Sequence, residues 1–335
     1  MSAPGDGLDA LMLRGGEALR RRMQHTERHL ELVTASSGTP LATHANATVL
    51  PAGKRLRPLL VVLAAESIGG PPETPDGEER LVRAAVAVEL VHSATLVHDD
   101  VVDGARLRRG RPTVAATAGR QVAVATGDLL FSRAFAELAR NDDSAQLLAL
   151  SAASSALAEG ELLQREDAYA AHVPVARYLR RCELKTAALF EAACRLGALT
   201  AAEGSSALAD GLGAFARRIG LAFQMLDDVL DVSGPVERTG KARGTDLLDG
   251  TVTLPFILAR EREPQLLDLD LASLGGPRQA EELCERIAAT GALDEAREQA
   301  LAVVAQAKST LPSLLPEGRS TLLELVADAV VERYR

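Results

Sequence analysis

Residues 78–103 read EERLVRAAVAVELVHSATLVHDDVVD, and residues 223–231 read FQMLDDVLD. In the first stretch Leu81, Ala85, Val88, Val91 and Thr95 recur at three- and four-residue steps. That is the spacing of one face of an α-helix. Gly104 follows, a residue that suits the left-handed position just past a helix end. The spacing predicts one helix from about Glu78 to Val102. A second is predicted from about Ala207 to Val232, stopped by Ser233-Gly234-Pro235. Each carries D-D-x-x-D near its C-terminal end: Asp99-Asp100-Val101-Val102-Asp103, and Asp227-Asp228-Val229-Leu230-Asp231.

Outward from these two helices the pattern stays helical. No proline falls between Pro112 and Pro174, or between Pro174 and Pro235, and these intervals are rich in Ala, Leu, Glu, Gln and Arg. Turn clusters punctuate the rest at Gly69-Gly70-Pro71-Pro72, Asp103-Gly104 and Gly275-Gly276-Pro277. No stretch alternates polar and apolar residues long enough for a sheet. The expectation is an all-α chain forming one domain over residues 1–335, without linker or fixed repeat. Residues 1–7 are expected to be disordered, and Thr34 to Ala52, rich in Ser, Thr, Gly and Pro, to be an irregular connection.

The duplicated acidic pattern carries the chemistry. Residues four apart share a helix face, so Asp99 pairs with Asp103 and Asp227 with Asp231. Like charges at that spacing cost a few tenths of a kcal/mol, and negative charge is disfavoured near a helix C-terminus. Two such penalties, each embedded in apolar sequence, call for a cation to neutralise them. Hard oxygen donors with room for water suit magnesium, shared with a phosphate. A single cluster would read as an ordinary acidic helix end; two point to a metal–diphosphate site.

Cations form a second layer. Arg106, Arg108, Arg109 and Arg111 follow the first acidic cluster, and Gly53-Lys54-Arg55-Leu56-Arg57-Pro58 precedes an apolar helix. Arginine forks match phosphate oxygens, while lysine supplies a point charge. Lys185-Thr186, Lys241 and Asp246 complete the polar set, and His92 lies about two turns before Asp99. His25 and His29, among Arg20, Arg21, Arg22 and Arg28, read as a solvated face. Gly211-Leu212-Gly213-Ala214-Phe215-Ala216 fits a dinucleotide fingerprint in letters only, since helical sequence and no strand precedes it.

Composition narrows the function classes. The 335 residues are 47% hydrophobic, 25% charged and 3% aromatic, without Trp, and the formal net charge is −9. Nucleic acid and anionic lipid find no global basic field, and bases find few stacking platforms. The cysteines Cys182, Cys194 and Cys284 are odd in number and lack C-x-x-C spacing, which fits a reducing cytoplasm. The first residues, MSAPGDGLDA, do not read as a signal peptide. No uninterrupted apolar run approaches the ~20 residues of a membrane span.

Taken together, these motifs resemble those of the trans-isoprenyl (polyprenyl) diphosphate synthases. GKRLRP at 53–58, ELVHSATLVHDDVVDGARLRRGRPT at 89–113, GD at 127–128, KTA at 185–187, FQMLDDVLD at 223–231, GK-x-x-G-x-D at 240–246 and TLP at 253–255 come in the family's order. The resemblance runs from about Gly53 to Pro255. It implies a helical bundle around a deep central cavity, a homodimer, and two substrates, isopentenyl diphosphate and an allylic diphosphate. Asp99, Asp103, Asp227 and Asp231 would face one another across the cavity mouth and hold three magnesium ions on the allylic diphosphate. Arg108, Lys185, Thr186, Gln224 and Lys241 would contact that substrate, and Lys54, Arg57, His92 and Arg109 isopentenyl diphosphate. Arg108 and Lys185, with the four aspartates, would form the catalytic set.

One departure is Thr251, where many members carry Lys. Chain length is expected to be read along the first long helix at Ala94, Thr95, Leu90 and Val91. A bulky aromatic at the position of Ala94 resembles a floor that stops growth, and none stands here. The expectation is a product of about thirty carbons or more, with a farnesyl or geranylgeranyl synthase, or the catalytic subunit of a heteromeric synthase, as alternatives. A terpene cyclase would carry a different second metal motif, and a squalene-type synthase a different pair of acidic motifs.

Overall fold

A computed structural model describes residues 6–35, 40–50, 53, 55–108, 110–202, 204–234, 243–332 and 334. The helices are α1 (Asp6–Arg14), α2 (Gly16–Ala35), α3 (Pro40–Val49), α4 (Leu56–Glu66), α5 (Pro75–Val102), α6 (Val114–Ala118), α7 (Arg120–Ala139), α8 (Ser144–Glu166), α9 (Val175–Cys182), α10 (Ala188–Thr200), α11 (Ser206–Ser233), α12 (Thr245–Leu248), α13 (Leu254–Arg262), α14 (Pro277–Ala289), α15 (Ala292–Leu314) and α16 (Thr321–Glu332). Among the described residues the one sheet is a hairpin of β1 (Leu107–Arg108) and β2 (Arg111–Pro112), antiparallel, with Arg108 opposite Arg111. The fold is all-α, as the helical periodicity requires.

The chain resolves into two compact units. The first comprises Met1–Ser154, Leu189–Ala216 and Thr310–Val326; the second comprises Ser155–Ala188, Arg217–Ser309 and Ala327–Arg335.

In the first unit α5 is the central helix, packed most extensively on α7 and also on α4 and α2. Thr74 caps its start, accepting the Gly77 N–H at 3.0 Å, and Pro75 occupies the first turn. Gly104, at φ 63°, takes the left-handed conformation just beyond its end. Every residue from Ala84 to Val91 is buried, so this part of the helix is enclosed on all sides. From His92 onward partial exposure returns along His92, Thr95, Leu96, Asp99 and Asp103. These lie at helical steps on one face. Pro75–Val102 is long and apolar enough to cross a membrane by length and composition, and 72% of its most apolar window is buried within the protein. Its apolar surface is the core of the unit.

Two readings of the N-terminal region change. Residues 40–49, expected as irregular connection, form α3, which packs on α2 and α7. Ala42, Ala45 and Val49 are its buried residues, and tertiary burial of that stripe outweighs the weak intrinsic preference of its Thr and Asn residues. Residues 36–39 and 51–52 lie outside the described residues. So do residues 1–5 of the segment expected to be disordered, while Asp6 and Gly7 begin α1.

The second unit gathers α9, α12, α13 and α14 with the C-terminal part of α11. Tyr178 and Phe256 are fully buried in it. Buried Arg181 donates to the carbonyl of Val252 and lies 5.5 Å over the Tyr178 ring. Between α9 and α10 the chain widens into a π-turn at Glu183–Ala187. Such turns are frequent at functional sites, and this one holds Lys185 and Thr186.

Candidate active site

The first acidic motif closes α5. Asp99 is half-buried and Asp103 exposed, on one face, while Asp100 turns inward and is 6% exposed. Arg108 donates its Nε–H to Asp100 at 2.7 Å. Burial pushes the Asp100 carboxyl above its usual value, with Arg108 pulling against that rise. Arg108 reaches it because the chain folds straight back after α5. Ala105 N–H bonds the Asp100 carbonyl at 3.0 Å, and Thr113 both bonds the Ala105 carbonyl and caps α6. Arg106 and Arg111 remain exposed.

His98 stands just before the motif. Its Nε2 lies 3.2 Å from the Val124 carbonyl and 3.4 Å from Asp128, and its ring is 5.8 Å from that of Phe131. Gly127 has no side chain, so this ring sits directly on its Cα. That packing gives the Gly127-Asp128 pair a physical reason that the sequence alone did not supply.

The second motif repeats the arrangement. Asp227 and Asp231 are half-buried on α11, and Asp228 is buried. Asp228 accepts the Tyr178 hydroxyl at 2.6 Å and the Gln224 amide at 2.7 Å. Burial, and after it the nearby carboxylate of Asp246, push Asp228 well above the usual carboxylate range. Gln224 in turn accepts the Thr186 hydroxyl at 2.7 Å. A chain Thr186–Gln224–Asp228–Tyr178 thus ties the π-turn to the acidic helix. Asp231 accepts the backbone N–H of Asp246 at 3.2 Å, and Asp227 accepts the Tyr334 hydroxyl at 3.1 Å. Thr251, half-exposed, donates its backbone N–H to the Asp246 carbonyl at 2.7 Å.

Lys185 pairs with Glu161 of α8. This pair forms beside a close approach of α8 to the π-turn, at Gly160, where a Cβ would lie 2.6 Å from Lys185 N. Glu161 also holds Arg165 at 3.0 Å. Lys185 and Arg165 together draw its carboxyl below the usual value, against the opposing effect of its burial.

The remaining cations lie in the first unit. Arg57 is half-buried, its guanidinium 5.1 Å over the Phe190 ring. His92 is half-buried, and its carbonyl accepts the Thr95 hydroxyl at 2.8 Å. Arg55 is buried and already neutralised by Glu27 and Glu89. It also holds a left-handed backbone, φ 47°, which costs a non-glycine residue about 1–2 kcal/mol. Lys54, Arg109 and Lys241 lie outside the described residues. Of the chain-length positions, Ala94, Leu90 and Val91 are fully buried, and Thr95 is half-buried on the open stripe of α5.

His25 and His29 do not form a solvated face. Both are half-buried; His29 Nε2 lies 2.8 Å from Glu137, and the two line a cavity of about 190 Å³ with Glu79, Val82, Arg83 and Arg140. Arg22 is likewise held by Glu66 and Glu78. The three cysteines are free and buried, and burial raises Cys194 and Cys284 to about 12, which keeps them unreactive thiols.

Within each unit the donor set fits a hard divalent cation: two carboxylates one turn apart, oxygen only. Among the described residues no three His, Cys, Asp or Glu side chains converge as a ready metal cage. Two carboxylates a turn apart are the kind of donor set through which magnesium binds, together with waters and substrate phosphates.

Comparison with known proteins follows the same lines. The family model described as Polyprenyl synthetase matches residues 39–289. The chain is 42% identical over 239 residues to "Heptaprenyl diphosphate synthase component 2" of Geobacillus stearothermophilus, covering 71% of this chain and 72% of that one. It is 34% identical over 325 residues to the geranylgeranyl diphosphate synthase of Methanosarcina mazei, covering 95% and 97%. Among solved structures, a polyprenyl synthase from Caulobacter crescentus, complexed with calcium and isoprenyl diphosphate, superposes with a TM-score of 0.87 at 32% identity, covering 98% of each chain.

Proposed function

The chain belongs to the polyprenyl synthetase family, the trans-prenyl diphosphate synthases, and from that premise we propose that it joins isopentenyl diphosphate head to tail onto an allylic diphosphate. The observation that carries this reading is the repeated layout of the two acidic motifs. In each, the outer aspartates share one helix face a turn apart and keep partial or full exposure, while the middle one is buried and bonded to Arg108 or Tyr178.

In the proposed reaction the allylic C–O bond breaks and diphosphate leaves with the electron pair, giving an allylic cation. The terminal double bond of isopentenyl diphosphate attacks that carbon, and a proton is lost to the departing diphosphate. Arg108, Lys185, Thr186, Gln224 and Lys241 bind and orient the allylic diphosphate. Lys54, Arg57, His92 and Arg109 hold isopentenyl diphosphate. Asp99, Asp103, Asp227 and Asp231 are the carboxylates for magnesium, three ions in our reading. What bound magnesium supplies is neutralisation of the charge that develops on the leaving group. Arg108 on Asp100, Lys185 on Glu161 and Thr186 on Gln224 are protein partners these groups exchange for diphosphate oxygens. Apolar lining of the tail site keeps water from the cation. No nucleophilic side chain is required.

We further propose a product of about thirty carbons or more. Ala94 and Thr95 are small, and Leu90 and Val91 carry no ring. The two units act as one synthase domain, the active form is a homodimer, and the buried thiols suit the cytoplasm. A second reading is favoured by the heptaprenyl relative, whose name marks it as one component of a synthase. In that reading this chain is the catalytic subunit and needs a helper. The test is labelled isopentenyl diphosphate with magnesium and each allylic primer, added to the purified chain alone, with products sized by chromatography. Incorporation by the chain alone supports the first reading; incorporation only with a second subunit supports the other; none under either condition refutes both.

A further inference from the structure

Arg55 lies in the basic run 53–58, between two cations assigned to isopentenyl diphosphate, and its side chain is turned into the protein. It is buried, and its guanidinium is already engaged. Nε donates to Glu27 at 2.6 Å, Nη1 to Glu89 at 2.8 Å, and Nη2 to both Glu27 at 3.0 Å and the Val49 carbonyl at 2.8 Å. Three helices are joined by this one side chain: Glu27 lies on α2, Val49 ends α3 and Glu89 lies on α5. The backbone at Arg55 is left-handed, φ 47° and ψ 38°, at the residue that opens α4. A non-glycine residue keeps such a conformation only where its surroundings over-determine it, and here the fork does so.

The turn held in this way starts the helix on which Arg57 stands two residues later. Glu89 also attracts Arg57 electrostatically, and it lies three residues before His92, on the same side of α5. We propose that Arg55 is a positioning residue: its guanidinium, forked between Glu27 and Glu89 and tied to Val49, fixes the left-handed turn that sets Arg57 for isopentenyl diphosphate. Arginine is needed because a planar fork bonds two carboxylates and a carbonyl at once, while lysine offers a single point charge. The inference rests on the reading that Arg57 and His92 bind isopentenyl diphosphate.

The test compares wild type with Arg55→Lys, Arg55→Gln and Glu27→Gln, measuring KM for each substrate, kcat and the thermal unfolding midpoint. Arg55→Lys and Arg55→Gln are expected to raise KM for isopentenyl diphosphate about ten-fold or more, with KM for the allylic primer within about two-fold and kcat at saturation nearly kept. Glu27 is partly exposed and its loss leaves the Glu89 bond, so Glu27→Gln should fold normally and raise the same KM by about three-fold. If the Arg55 variants fail to fold, Glu27→Gln decides. Unchanged isopentenyl KM in folded variants, full rescue by Arg55→Lys, or an equal loss for both substrates would overturn the proposal. If wild type itself does not consume isopentenyl diphosphate, the reading of function falls first and takes this inference with it. If wild type turns over and the variants show no split, this inference alone falls.

Discussion

Gly160→Ala is a substitution of one methyl group whose effect can be worked from the geometry. A Cβ at this position would lie 2.6 Å from Lys185 N, 2.9 Å from Lys185 Cα and 3.0 Å from Leu184 Cβ. Comfortable non-bonded separation is about 3.5–4.0 Å, so α8 and the π-turn must part by roughly 1 Å. Two of the three contacts are backbone atoms, so no side-chain rotation relieves them. Overpacking of this kind costs about 1–3 kcal/mol, a fall of a few degrees in unfolding midpoint for a chain of this size. The functional effect should be larger than the stability effect. A misplacement of about 1 Å at substrate-positioning groups costs on the order of 10²-fold in rate, and the displaced segment carries Lys185, Thr186 and the 2.7 Å bond to Gln224. Steady-state kinetics and a melting curve would be measured together. The expectation is a kcat reduced about 100-fold at a temperature where the variant is fully folded, with isopentenyl diphosphate KM little changed. Gly127→Ala is the contrast, because the three atoms nearest its new methyl all belong to the His98 ring, a side chain able to turn aside. If Gly160→Ala keeps wild-type kcat and midpoint, the π-turn is not held by that close approach, and its residues do not position substrate.

Other outcomes follow from the same geometry. Asp99→Ala and Asp227→Ala should each lower turnover by at least ~10²–10³-fold, the cost of losing one transition-state donor, while leaving the melting midpoint intact; near-normal rates in excess magnesium would remove these residues from the metal site. Tyr178→Phe leaves Asp228 one partner short in a buried position and should cost about 1–3 kcal/mol in unfolding free energy, read by denaturant titration; an unchanged midpoint would show that the hydroxyl contributes nothing there. Thr95→Tyr places a ring on the open stripe of α5 and should shorten the products while early condensations continue, whereas Ala94→Phe, at a fully buried position, should also destabilise by about 1–3 kcal/mol; product sizing of both variants separates the tail path from the core, and unchanged products from both would clear this face of any role in length.

Much of the fold was legible because the signals were local. The periodicity from Leu81 to Thr95 predicted 78–102 and the helix spans Pro75–Val102; 207–232 was predicted and Ser206–Ser233 is observed. In both cases a glycine or a turn cluster marked the stop. α3 was missed because its evidence is not local: Ala42, Ala45 and Val49 look unremarkable until α2 and α7 bury them. The acidic motifs could be read because four-residue spacing fixes a shared face whatever the surroundings. Their inner members could not, since Tyr178 lies 50 residues from the Asp228 it bonds. Glu161 likewise lies 24 residues from Lys185, and Glu89 lies 34 from Arg55. Arg55 and Arg57 look alike in sequence, and only burial separates the one forked between two carboxylates from the one stacked half-buried on Phe190. The π-turn has no sequence signature in Glu183–Ala187, and the helix that approaches it closely, at Gly160, lies more than twenty residues earlier in the chain.

In the proposed function two diphosphates bind at separate subsites, and only one of them needs the metal. Calorimetric titration of the purified protein with each diphosphate, with and without magnesium, tests it most directly, using a non-reactive thiolo analogue of the allylic primer. The allylic analogue is expected to bind only with magnesium and to be lost in Asp99→Ala and Asp227→Ala. Isopentenyl diphosphate is expected to bind without magnesium and to be weakened selectively in Arg57→Ala. Metal-independent binding of the allylic analogue, or equal weakening of both ligands by Arg57→Ala, would contradict it.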